Sequence, residues 1–292
     1  MKIFWQDERL PLKKEFFGKR TPSFLEIGFG KGHFLEYLLS FNESAVGIEV
    51  SKEMIELVSK RLSPYTERLF LFHGDARFII KYVLPEMIFE KIFLLFPFPW
   101  PKERHKKRRI YEGDFPKVIW KALKEEGKFY VVTDEEEFLS ELKERFLKDG
   151  LFSESEFEED LKEKAYQTKY AKKWKEKGKE IFSLCLKKNQ KEFFLEKRIK
   201  ITGKPDHFLL KSTEFPEDYM RKEEDRVFTL KQVFSSESGM IFKFFSKEED
   251  LSQTLFFLME KKRNIILRPL FREKTVFTEW IMQNIEDFFR IK

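Results

Sequence analysis

Short apolar runs and amphipathic stretches alternate along roughly the first two thirds of the chain. The runs at 23–27, 45–49, 69–72 and 92–96 are apolar or nearly so, and glycine, proline or charge bounds each of them. Runs of this length read as strands buried on both faces. Between them, 33–40 and 52–62 carry apolar residues at helical spacing, the mark of a helix with one buried face. In the second, Met54, Leu57, Val58 and Leu62 share that face, and Ser51 precedes it as an N-cap. The beat continues with a helix over 112–125 closed by Gly127, a strand over 128–134, a helix over 135–148 ended by Gly150, and a last strand over 181–186. Strand and helix in strict alternation predict an α/β fold with a doubly wound, Rossmann-like sheet.

From about residue 191 the pattern changes. Phe-rich runs at 227–230 and 240–245, with a shorter run at 264–267, predict strands, while 251–261 and 276–289 predict helices. The chain therefore divides into an N-terminal arm (1–22), an α/β domain (23–189) and a C-terminal α+β extension with an auxiliary role (190–292). In the arm, Lys13, Lys14, Lys19 and Arg20 suit phosphate contact or plain solvation equally.

Chemistry gathers at the predicted strand ends. Glu26 stands just before Gly28-Phe29-Gly30-Lys31-Gly32, which leads into the first helix. Alternate glycines let the backbone turn sharply and approach a ligand without a Cβ in the way. The dinucleotide fingerprint Gly-x-Gly-x-x-Gly is not met. An acid at Glu26 would oppose a pyrophosphate at the helix N-terminus, so it suits a cationic or amino-bearing ligand. Glu49 ends the second strand about 20 residues after the glycines, where an acid binds ribose hydroxyls. Asp75, after His73-Gly74, is placed to accept from an adenine amino group. His73 itself reads as a satisfied surface histidine.

The fourth strand runs into Phe96-Pro97-Phe98-Pro99-Trp100-Pro101 and then into Lys102-Glu103-Arg104-His105-Lys106-Lys107-Arg108-Arg109. The prolines hold a stiff, extended turn. Ligands bind at strand C-termini in open α/β sheets, so a rigid aromatic turn with a cationic block points to a flat, polyanionic substrate. The alternative is a solvated basic helix start after an ordinary proline-rich loop, and the Trp together with the basic block favours the substrate reading. Aromatics and lysines interleave again over 166–174, which suits nucleic acid by stacking plus charge or makes an ordinary amphipathic helix.

Composition narrows the picture. A length of 292 residues with 41% hydrophobic content gives one large or two ordinary domains with ample core. Charged residues reach 37%, which resembles a thermophile surface, and the net charge is +6. No apolar stretch of about 18 residues occurs, so no membrane span is expected. Cys185 is the only cysteine, which excludes an intrachain disulfide and leaves no basis for a cysteine zinc site. With no signal-peptide pattern at the start, the cytoplasm is the expected location.

The strand-end acids and glycines resemble those of the class I S-adenosylmethionine-dependent methyltransferases. At motif level the chain is similar to the bacterial tRNA (guanine-N7-)-methyltransferase family. Leu25-Glu26-Ile27-Gly28-Phe29-Gly30, Gly47-Ile48-Glu49-Val50, Phe96-Pro97 with Pro99-Trp100-Pro101-Lys102, Arg104-His105, Lys107-Arg108-Arg109, Thr133-Asp134 and Thr168-Lys169-Tyr170 follow the family pattern in order, over about 20–188. Phe98 departs from the family's usual Asp, and Ala171 from its usual Glu.

The resemblance implies S-adenosylmethionine as cofactor and tRNA as partner, with the variable-loop guanine at position 46 as target. It places Glu26, Gly28, Gly30, Gly32, Glu49, Asp75 and Phe98 around the cofactor: Glu26 near its methionine moiety, Glu49 at the ribose, Asp75 at the adenine. On the substrate side, Lys102 and Arg104 would hold phosphate or the base, and Arg108 and Arg109 the RNA backbone. Trp100 would pack under the base or wall the cleft. Thr133 and Asp134 would fix the guanine edge, and Thr168, Lys169 and Tyr170 would close over the substrate. The last strand would run antiparallel, and no metal is implied.

Guanine N7 carries a lone pair and no proton, so it needs no general base. It needs alignment and a dry site. The purine becomes cationic as the methyl arrives, and a nearby carboxylate stabilises that charge. Asp134 is the candidate, because Phe98 cannot do this. The competing readings are a non-catalytic tRNA- or RNA-binding protein that keeps the fold, and a methyltransferase of amino groups or DNA. Monomer and homodimer both stay open.

Overall fold

The computed structural model describes residues 2–5, 14–17, 20–100, 104 and 109–191. It then describes 201–203, 208–210, 219–223, 226–236, 239–248, 251–261, 265–269, 274–275, 280, 283–285 and 288. By contacts the chain divides into two compact units, Met1–Gln6 with Leu12–Glu196, and Asp7–Pro11 with Lys197–Lys292.

The first unit runs β1 (Lys2–Trp5), β2 (Phe24–Ile27), α1 (His33–Ser40), β3 (Ala45–Glu49), α2 (Lys52–Arg61), β4 (Leu69–His73) and a short α3 (Ala76–Phe78). It continues with β5 (Phe89–Leu95), α4 (Phe115–Ala122), β6 (Leu123–Thr133), α5 (Glu136–Lys148), β7 (Phe152–Ser155), α6 (Glu159–Tyr166), α7 (Lys169–Glu176) and β8 (Phe182–Lys188). Its eight-stranded sheet has the order β1-β4-β3-β2-β5-β6-β8-β7. Neighbours from β1 to β6 are parallel, and β8 is antiparallel to β6 and β7. From β2 the chain steps outward to β3 and β4, then crosses back to β5 on the other side of β2. That reversal is the switch point at which open α/β sheets bind ligands.

Burial explains these elements. Every residue of β2 and β3 is buried, as a strand covered on both faces requires. On α1, Phe34, Leu35, Leu38 and Leu39 form the buried face. Each contributes about 1.5–3 kcal/mol on burial. The N-cap expected at Ser51 is present, with its Oγ accepting from Met54 N–H at 3.4 Å. In the core, Phe93 stacks on Tyr130 with centroids 4.9 Å apart, and Phe34 meets Phe93 edge-on. Glu158, just before α6, accepts from the Tyr130 hydroxyl at 2.7 Å and pairs with Lys91 and Lys128. Leu161 and Ala165 of α6 enter the core below. This pins the α6–α7 pair to the middle of the sheet.

Several expectations change. The arm's Lys2–Trp5 is an edge strand paired with β4, from Lys2↔Phe70 to Trp5↔His73. The helix expected over 112–125 ends at Ala122, because Leu123 already pairs with Phe89. Gly127 therefore lies inside β6. Glu126 beside it takes φ 62°, and the register shifts between Phe89 and Lys91. β7 gave no clear signal, since its only apolar residue is Phe152.

The second unit contains β9 (Ile201–Gly203), β10 (Phe208–Leu210), β11 (Met220–Glu223), β12 (Arg226–Ser236), β13 (Gly239–Glu248), β14 (Leu251–Lys261), β15 (Ile265–Pro269) and β16 (Lys274–Thr275). A six-stranded antiparallel sheet has the order β10-β15-β14-β13-β12-β11, and β16 pairs with β9. The helix expected over 251–261 is strand β14. It pairs with β13 on one side and β15 on the other, and Phe257 and Met259 are buried at strand period. Of the helix expected over 276–289, Trp280, Gln283, Asn284, Ile285 and Phe288 are helical, and its other positions lie outside the described residues. Phe228 stacks on Phe244 at 4.8 Å, and Phe288 meets Phe244 edge-on. Among the described residues no helix is long and apolar enough to cross a membrane, and no acidic, histidine or cysteine cluster could hold a metal ion.

Candidate active site

At the switch point, the C-terminal ends of β2, β3 and β5 and the N-terminus of α7 surround a cavity of about 550 Å³. Its floor is the turn between β2 and α1. Gly28, Gly30 and Gly32 take φ of 71°, 50° and 69°, a region closed to most side chains. A Cβ on Gly32 would also stand 3.0 Å from Val58.

Two carboxylates enter from the strand ends. Glu49 Oε2 accepts from Gly30 N–H at 3.0 Å, and its Oε1 accepts from the N–H groups of Val50 and Ser51 at 2.8 and 3.0 Å. A carboxylate has about four acceptor positions, so capacity for a ribose hydroxyl remains. Glu26 is 3% exposed, and its Oε2 has no hydrogen-bond partner. Burial, and then the neighbouring Glu49, push its carboxyl well above the usual range. A buried, unpartnered carboxyl oxygen in a ligand-sized cavity calls for a donor. The amino group of S-adenosylmethionine is such a donor, so the residues present fit that cofactor.

His33 also lines the cavity, with Nδ1 2.8 Å from Arg61 Nη1. Guanidinium only donates, so Nδ1 accepts and the imidazole proton sits on Nε2. Burial and then the Arg61 charge lower the pKa of this histidine.

The opposite wall belongs to Leu95, Phe96, Thr168, Lys169, Tyr170 and Lys173. Thr168 caps α7, its Oγ1 accepting from Ala171 N–H at 3.4 Å. Tyr170 is 52% exposed and faces Phe96 with centroids 6.3 Å apart and ring planes 26° apart. Ala171 is fully buried.

Other expected site residues are placed differently. Asp134 follows β6, beside the end of β5, where Phe96 N–H donates to Val132 C=O at 2.7 Å. Lys179 pairs with Asp134 Oδ2 at 2.6 Å and with Glu135 Oε1 at 2.9 Å. Its ammonium lies 4.5 Å from the Trp174 ring centroid. Thr133 is fully buried, and its Oγ1 accepts from Glu135 N–H at 3.2 Å, so it shapes the turn at the strand end. Asp75 caps α3 and pairs with Arg77 at 2.6 Å. Phe98 is 67% exposed and meets Trp100 edge-on at 4.8 Å; neither is among the cavity's lining residues. Arg109 corrects the expectation of a phosphate contact: it is buried, donates to Glu141 Oε2 at 3.0 Å and to Trp100 C=O at 3.3 Å, and so braces the proline turn against α5. Arg104 is exposed, while Lys102 and Arg108 lie outside the described residues.

Sequence reasoning thus brought Glu26, Glu49, the three glycines and residues 168–170 to one cavity. It missed His33, Phe96 and Lys173 as lining residues. Phe96 carried a readable signal: it is the last apolar residue before Pro97, at the C-terminal end of a strand, where open α/β sheets bind ligands.

Residues 20–184 match a family model described as "Putative methyltransferase". Among curated relatives, a tRNA (guanine-N(7)-)-methyltransferase of Thermotoga maritima is 35% identical over 62% of this chain and 58% of its own length. One of Alkaliphilus metalliredigens is 34% identical over 57% of this chain and 82% of its own. One of Thermus thermophilus is 28% identical over 86% of this chain and 82% of its own. The match thus spans little more than half the length of the Thermotoga relative. Cavity, glycine turn, strand-end acids and these matches converge: the chain belongs to the tRNA (guanine-N7-)-methyltransferase family.

Proposed function

We propose that this protein transfers a methyl group from S-adenosylmethionine to N7 of guanine 46 in the tRNA variable loop, in the cytoplasm. The observation that carries the reading is Glu26, a buried carboxyl with an unpartnered oxygen, in a cavity that also reaches Phe96 and the start of α7. S-adenosylmethionine, when bound, supplies a sulfonium-activated methyl group. Glu26, Glu49 and the glycine turn hold and orient that ligand. Leu95, Phe96 and Tyr170 exclude water from the reacting atoms. Asp134 stabilises the positive charge that grows on the purine. Its present partner, the Lys179 ammonium, gives way to that charge. Lys169 and Lys173 hold phosphate at the cavity mouth, with Lys102, Arg104 and Arg108 as further contacts.

Incubation with labelled S-adenosylmethionine and unmodified tRNA, followed by mapping of the modified base, tests the reading. The expected product is one 7-methylguanine at position 46. Tight tRNA binding without transfer would favour the non-catalytic reading, for which Phe98 and the buried Ala171 in place of two acids are the motivating observations. Asp134→Ala should abolish transfer and leave the affinity for S-adenosylhomocysteine unchanged; retained transfer would remove the charge-stabilising role.

A further inference from the structure

We infer that Phe96 and Tyr170 are the two faces of a slot that takes the target purine, so that the base is sandwiched between them. The inference rests on the proposed activity and names the residues that would recognise the base. Both side chains line the cavity, and their rings already face each other at 6.3 Å with planes 26° apart. A flat base between two rings needs about 7 Å, twice a van der Waals contact of ~3.5 Å. With centroids 6.3 Å apart and planes tilted by 26°, the two rings must part further and level to admit a base.

The backbone supports this reading. Phe96 takes φ 50°, an unfavourable conformation for a bulky residue. Such strain persists only where the surroundings enforce it, and it clusters at ligand-binding sites. Here β5 still pairs through Phe96 N–H with Val132, and Pro97 follows immediately. The chain thus leaves the sheet with the Phe96 ring among the cavity's lining residues. Across the gap, Tyr170 sits in the first turn of α7, whose Thr168 cap fixes its start. A Cβ on Gly30 would stand 3.9 Å from Tyr170 Cε2, so the tyrosine also covers the glycine turn where the cofactor fits. A base in the slot would lie next to that ligand. Lys169 and Lys173 line the same mouth and suit the phosphates on either side of an extruded nucleotide. Trp100, the other aromatic expected against the base, packs edge-on with Phe98 and is not among the lining residues.

The test uses full-length protein and tRNA carrying fluorescent 2-aminopurine at position 46. Stacking quenches this base. Wild-type protein should quench it, Phe96→Leu and Tyr170→Ala should lose the quench, and Tyr170→Phe should restore it, since the face and not the hydroxyl does the stacking. On unmodified tRNA, KM for tRNA should rise about tenfold in Phe96→Leu and Tyr170→Ala. The affinity for S-adenosylhomocysteine, measured by calorimetry, should fall by less than KM for tRNA rises, since Tyr170 also covers the glycine turn, and retained binding reports that the variants fold. Quenching that survives both variants overturns the slot. So does a loss of S-adenosylhomocysteine affinity that matches the loss of quench, because the pair would then serve the cofactor. If wild-type protein forms 7-methylguanine at position 46 without quenching the probe there, the slot fails and the activity stands. If it quenches the probe and transfers no methyl, the activity fails and the slot stands.

Discussion

Glu26 binds a proton more tightly when folded than its ordinary pKa of 4.5 allows, because it is buried beside Glu49. Above about pH 4.5 and up to its folded pKa, the folded chain holds a proton that the unfolded chain has released. Stability therefore falls as pH rises through that window, and the loss is complete above it. Glu26→Gln should melt higher than wild type at neutral pH, with the gap closing toward pH 4.5. The same variant should bind S-adenosylhomocysteine more weakly. An ammonium beside Glu26 would drive its carboxyl to ionise, so at a pH below the folded pKa ligand binding to wild type should release a proton that Glu26→Gln does not release. Calorimetry in buffers of different ionisation enthalpy reads this directly. At Asp134, the relevant neighbour is Lys179, which is too exposed for the pair to matter much to stability. Lys179→Ala should change the melting temperature little and alter turnover. At this scale the sequence exposed identities better than roles. The placement of Glu26 and Glu49 at the cavity was legible because strand ends and glycine turns mark where ligands approach an open α/β sheet. Arg109 was not, because nothing local tells a phosphate-binding arginine from one that folds back onto Glu141.

Elements position these residues by close contact, and two substitutions test that. Gly47 in β3 faces the glycine turn, where a Cβ would come within 2.7 Å of Phe29 and 2.9 Å of Leu35. Gly47→Ala must push aside the Phe29 ring of the turn and the Leu35 side chain of α1. It should destabilise the protein by about 1–3 kcal/mol and weaken S-adenosylhomocysteine binding in the same preparation. Arg109→Ala removes a brace between the proline turn and α5. It should cost about 1–3 kcal/mol in denaturant unfolding, with no loss of cofactor affinity. The order and kind of elements up to β8 were largely readable, since each parallel strand is an apolar run between breakers. The misreading at 251–261 has a physical reason. Leu255-Phe256-Phe257-Leu258-Met259 suits a buried helix or a central strand alike, and pairing with β13 and β15 decides between them. No local window contains that partner information. The break inside β6 is similar: Gly127 looks like a helix stop and instead lies beside a bulge that only the partner strand reveals.

The whole molecule joins a sheet whose strand ends carry the chemistry to a second unit built around Phe228, Phe244 and Phe288. Its only thiol, Cys185, is buried in β8 opposite Tyr130 of β6, and burial pushes its pKa up to about 11. A thiol so placed reacts with a disulfide reagent only when β6 and β8 part. Because there is just one, labelling follows a single exponential and serves as a clock for openings of the strand that leads to Asp134. Saturating S-adenosylhomocysteine should slow that clock by the factor by which it depletes the open population, 1 plus the ratio of ligand concentration to Kd. A rate that does not change with ligand would mean that β6 and β8 part without disturbing the cavity. The solitary cysteine thus makes the coupling between ligand and sheet measurable on the native chain, with no label engineered in.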